Sequence, residues 1–83
     1  MKIQLNTIAD VNNFCKSAMD CKSEIDVISG RYTINAKSIM GLFSLNLSDP
    51  VEVVIHDVIS DDPAVIEAEK AKALEVVKPY IVE

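Results

Sequence analysis

The stretch SEIDVISGRYTINAKSIMGLFSLNL, Ser23 to Leu47, alternates, turns at one glycine, alternates again and then changes period. From Ser23 to Ser29, Ile25 and Val27 face one way and Glu24 and Asp26 the other, the pattern of a half-buried strand. Gly30 marks a turn. From Arg31 to Lys37, Tyr32, Ile34 and Ala36 share a face, so the two runs predict a β-hairpin. From Ser38 to Leu45 the period becomes helical, with Ile39, Leu42 and Phe43 on one face of a short helix. Ser38 stands where an N-cap belongs, since its hydroxyl can accept from the first unpaired amides. Gly41 inside this helix is a local cost and is expected to permit the close approach of a neighbour. Asn46, Ser48, Asp49 and Pro50 then form a turn.

Working outward, Lys2 to Asn6 reads as a strand, with Ile3 and Leu5 on its apolar face. Thr7 and Asp10 make a loose capping box for a helix over Ile8–Met19, whose inner face is Ile8, Val11, Phe14, Cys15 and Ala18. Downstream, Val51, Val53 and Ile55 alternate with Glu52, Val54 and His56 in a fourth strand. Asp61-Asp62-Pro63 is a helix start, with an aspartate cap ahead of a proline that gives up no needed amide. Ile66, Ala73, Leu74, Val77 and Ile81 line the last helix, and Pro79 disturbs its end. The order is β-α-β-β-α-β-α. Strands with one apolar and one mostly polar face predict an α+β fold, a sheet covered by helices on one side and open to water on the other.

Composition narrows the function. The 83 residues, 49% hydrophobic, are expected to form one domain over 1–83 with a thin core. No run approaches the ~20 apolar residues of a membrane span, and the start lacks a leader's apolar block. A cytoplasmic location and no membrane partner are therefore expected. A net charge of −5 argues against nucleic acid and suits a basic protein partner. Cys15 and Cys21 should point in different directions and stay unpaired, with Cys15 in or near the core.

In its order and middle third the chain resembles HPr, the small phosphocarrier of the bacterial sugar phosphotransferase system. AKSIMGLFSL, Ala36 to Leu45, is similar to that family's regulatory-serine signature. The resemblance implies an open-faced sandwich, four antiparallel strands under three helices. It places the regulatory serine at Ser38, the target of a dedicated ATP-dependent kinase in Gram-positive relatives, whose product binds a transcriptional repressor. It also implies an apolar partner surface at Ile39, Met40 and Phe43, to which the neighbouring Lys37 adds a charge.

The departure lies at the first helix. Relatives carry phosphate on a histidine within a G-[LI]-H-x-R-P segment, received from enzyme I. Here LNTIADVNNF, Leu5 to Phe14, holds no histidine, arginine or proline, and Thr7 occupies the histidine's place. Imidazole is a neutral nucleophile whose phosphoramidate passes its phosphoryl group on, whereas a threonine hydroxyl needs a base and gives a stable ester. Asp10 would repel an incoming phosphate at the helix end. The expectation is a non-catalytic regulatory or interaction domain, with no catalytic residue, metal or cofactor. Its partners would be an HPr-type serine kinase, a repressor or other phosphotransferase-system proteins, and the reading admits a homodimer. The alternatives are a carrier using Thr7, His56 or a cysteine, and an unmodified structural module. A solvated strand residue is the expectation for His56.

Overall fold

Two strands, β2 (Glu24–Ser29) and β3 (Tyr32–Asn35), close around Gly30 and Arg31 with Ser29 opposite Tyr32. Gly30 has φ +59°, which places the glycine where side-chain-bearing residues are strained. The structure, a computed structural model, describes residues 1–45 and 48–82. The expectations for Asn46, Leu47 and Glu83 lie outside the described residues.

Strand β4 (Val51–His56) runs antiparallel to β2, and β1 (Lys2–Ile3) runs antiparallel to β4, giving the order β1-β4-β2-β3. Helices α1 (Ile8–Met19), α2 (Ile39–Phe43) and α3 (Pro63–Val77) complete the α+β open-faced sandwich. Burying apolar side chains on one sheet face drives this arrangement. Ile3, Ile25, Val27, Val51 and Val53 meet Val11, Phe14, Ala18, Leu42, Ala73 and Val77 in one core. Both cysteines are buried and free.

The caps set the helix starts. Thr7 Oγ1 accepts from the Asp10 amide at 3.0 Å, and an Asp62 carboxylate oxygen accepts from the Ala64 amide at 2.9 Å ahead of Pro63. The predicted capping box is displaced by one residue, since Asp10 Oδ2 accepts from the Asn6 amide at 3.0 Å.

Several boundaries differ from the sequence reading. β1 is two residues long and does not reach Asn6, because Gln4 donates its amide to the Tyr80 carbonyl and the chain turns into the α1 cap. Leu5 is buried all the same. β2 starts one residue late, leaving Ser23 buried with its hydroxyl unpartnered among the described residues. β3 excludes Arg31, which belongs to the turn, and Ala36 and Lys37, where Asn35 bends the chain. α2 is shorter than Ser38–Leu45, with Ser38 and Ser44 as its caps.

Two packing expectations also change. Ile8 is 65% exposed rather than inward, because it opens α1 before the helix reaches the core. In α3 the buried set is Ala73, Val76 and Val77, with Ile66 half-buried and Leu74 and Ile81 largely exposed. Apolar residues surround the second half of this helix, so its period alone does not define a face. Pro79 ends the helix as expected. A 3-10 turn, Lys78–Tyr80, follows, and Ile81 then pairs with Ile3 beside β1.

Candidate functional site

Ser38 sits at the junction of β3 and α2 in extended conformation, φ −96° and ψ 96°. Its Oγ accepts from the Gly41 amide at 3.3 Å, and its carbonyl accepts from the Leu42 amide at 3.0 Å. The hydroxyl therefore caps α2 as the sequence predicted, while the residue stays exposed.

Asn35 builds the turn that presents this serine. Its carbonyl accepts from the Ser38 amide at 2.9 Å, and its side-chain oxygen accepts from the Lys37 amide at 2.9 Å. Its Nδ2 donates to Glu24 Oε2 at 2.5 Å, and Lys37 Nζ reaches Glu24 Oε1 at 3.3 Å. Lys37 is thus tied towards β2 rather than extended beside Met40. The sequence reading missed Asn35 and Glu24. An asparagine two residues before the lysine is an Asx-turn signal that could have found the first; the second requires knowing the hairpin register.

These contacts hold the Glu24 carboxyl below its ordinary value. The largest cause is the Asn35 amide, followed by the Lys37 hydrogen bond and charge. A carboxyl depressed in the folded state contributes stability above its unfolded pKa, and that contribution is lost as pH falls through the folded value. Glu24→Gln is therefore expected to flatten the loss of thermal stability between about pH 6 and about pH 3. The flattening should be small, because an exposed pair is screened by water.

The α2 surface is apolar outward as well as inward. Leu42 is fully buried and Ile39 partly buried, while Met40 is 79% and Phe43 42% exposed. Gly41 makes this possible. A Cβ there would lie 2.7 Å from Ile34 Cγ2 and 3.1 Å from Ser38 Oγ. Only a hydrogen at this position lets α2 settle on β3 with the cap intact.

Thr7 differs in kind. It caps α1 with φ −134° and ψ 164°, its carbonyl accepts from the Val11 amide at 3.1 Å, and the Asp10 carboxylate closes over the preceding residue. His56 belongs to neither helix start; it stands opposite Glu24 at the end of β4. It lies on the open face of β4, with Nε2 2.8 Å from Asp26 Oδ2, and is therefore paired rather than only solvated. Cys15 is an unreactive candidate, since burial pushes its thiol pKa up and favours the neutral form. Among the described residues no group of three His, Cys, Asp or Glu is placed to hold a metal, and no helix is long and apolar enough to cross a membrane.

Comparison with known proteins agrees with this geometry. No curated protein matches the chain. Residues 10–73 match the family model PTS-HPr, described as the PTS HPr component phosphorylation site. The matched span begins at Asp10, three residues past Thr7, and takes in α2 with Ser38 and Gly41. With most of its length in this match, and a four-stranded antiparallel sheet under three helices, the chain belongs to the HPr family of the phosphotransferase system.

Proposed function

We propose that this chain is a regulatory member of the HPr family that does not carry phosphate on histidine and acts by binding proteins through the α2 face. The observation that carries the reading is the contrast between two helix starts. At α2 an exposed serine hydroxyl stands beside Met40 and Phe43. At α1 a threonine and an aspartate close the cap on themselves, and no imidazole is present. The domain, taken as residues 1–83, works in the cytoplasm as a protein-binding module and not as an enzyme.

Ser38 is the modification site. A kinase transfers the γ-phosphoryl group of ATP to Ser38 Oγ; the β–γ bond breaks, ADP leaves and the hydroxyl proton passes to the kinase's base. The product adds about −1.5 to −2 charge beside an apolar patch, which changes what that patch can bind. The fold need not move. Ile39, Met40 and Phe43 form the surface that the kinase, a repressor or another phosphotransferase-system protein would touch, and Lys37 would join it on release from Glu24.

A second reading rests on the His56–Asp26 pair, because a carboxylate at Nε2 leaves Nδ1 as a nucleophile. Against it, Asp26 and Glu24 border the ring with negative charge that opposes a phosphoryl donor.

The test is incubation with the HPr serine kinase and ATP, read by intact mass. One phosphate is expected on the native chain and none on Ser38→Ala. Loss of the alanine variant's cap costs about 0.5–2 kcal/mol, so Ser38→Asn is the matched control, keeping a good cap without the hydroxyl. Phosphate on either variant would remove Ser38 as the site.

A further inference from the structure

The two edges of the sheet are finished differently. β1 is covered by the C-terminal segment: Ile81 bridges Ile3, Val82 donates its amide to the Lys2 carbonyl, and Gln4 donates to Tyr80. β3 has no such cover among the described residues.

The register says which groups β3 leaves open. The Ala36 amide donates to the Ile25 carbonyl at 2.8 Å, so the alternation of an antiparallel ladder turns Ile34 and Tyr32 towards β2. Thr33 then presents its N–H and C=O outward, and Asn35 its N–H, while the Asn35 carbonyl is taken by Ser38. Beside this edge, at the hairpin end, lies a groove of about 540 Å³ lined by Tyr32, Ile34, Leu45 and Arg31, among others. Tyr32 is 72% exposed although it shares the inward face with Ile34. Arg31 is the chain's one arginine, and no hydrogen bond or ion pair joins it to a described residue.

We propose that the β3 edge and this groove form a docking site for an extended acidic segment of a partner protein, which joins the sheet as an added strand. The three outward backbone groups require an extended occupant, since only a strand presents matching donors and acceptors at that spacing. An added strand lies about 4.8 Å from β3 and turns alternate side chains to the inward face, where Tyr32, Ile34 and Leu45 take an apolar one. Arg31 selects the charge: among the described residues that line the groove it is the one charged side chain, so a carboxylate is favoured here although the chain as a whole is acidic, and its planar guanidinium pairs with one. A second copy of this chain fits less well. Pairing two β3 strands about Thr33 sets Arg31 opposite Asn35 of the other copy, and the adjacent register sets it near Lys37, so neither supplies an acid. The edge is open without any modification of Ser38.

The probe is the peptide acetyl-Glu-Val-Thr-Val-Thr-Val-Glu-amide, titrated into the isotopically labelled chain while amide resonances are followed. Shifts centred on Thr33 and Asn35 are expected. Arg31→Glu should weaken binding by about tenfold, the loss of one charge-assisted pair. On the native chain a version with lysines for both glutamates should bind similarly less, and N-methylation of both threonines, the residues that face Thr33 and Asn35 when the valines turn inward in an antiparallel ladder, should abolish binding. Shifts centred elsewhere, or none up to the peptide's solubility limit, would overturn the proposal. So would equal binding of the N-methylated peptide. Shifts at the same amides that depend on protein concentration alone, with a doubled sedimentation mass, would assign the edge to a second copy instead.

Discussion

Phe14→Ala is expected to destabilise the fold by about 3–5 kcal/mol, the range for removing a large buried aromatic side chain. Phe14 is fully buried on the inner face of α1, and its ring meets Tyr80 edge to face, with centroids 5.7 Å apart and planes at 85°. One residue therefore ties α1 to the C-terminal segment that covers β1. Against a total of about 5–15 kcal/mol for a small domain, the variant should be partly unfolded in mild urea. Phe14→Leu keeps most of the volume and should lose less than half as much. Urea titrations of the three proteins decide this; a loss below about 1 kcal/mol for the alanine variant would mean that the core closes without this contact.

The second large effect is expected at Gly41. Alanine is the better helix former by about 1 kcal/mol, so an exposed glycine in a helix would gain from the change. Here the added methyl meets Ile34 Cγ2 at 2.7 Å, and that methyl sits on a stiff β-branched carbon. Overpacking costs about 1–3 kcal/mol, which cancels or exceeds the gain. The sharper expectation is coupling. Ile34→Ala alone should destabilise, yet Gly41→Ala in that background should cost at least about 1 kcal/mol less than in the native chain. Thermal unfolding of the four proteins gives the coupling directly. Additive effects would show that α2 already stands off from β3.

The elements legible from sequence were those whose signals are local. α1 and β4 fall on their predicted residues because a cap or a clean alternation bounds each of them. The Ser38 cap is legible for the same reason, and Gly41 signals a close neighbour without identifying Ile34. What escaped depends on distant pairings. β1 is shortened by residues near position 80, and Lys37 is drawn to Glu24 through the hairpin register. α3 hid its buried face behind an excess of apolar residues. Ile8 fits the helical period, but periodicity cannot say where a helix begins to touch the core.

Thr7 holds a cap with its hydroxyl, and the Asp10 carboxylate lies one turn in, engaged by the Asn6 amide. A phosphoryl group would meet a hydroxyl without a base and a negative charge where the family's chemistry needs an imidazole and free amides. The most direct measurement is incubation with enzyme I and phosphoenolpyruvate, followed by intact mass at neutral pH so that acid-labile phosphate survives. The account predicts an unchanged mass, with an ordinary HPr in a parallel tube gaining one phosphate. A phosphate on this chain would contradict it, and loss of that phosphate in His56→Gln or in Thr7→Val would name the acceptor.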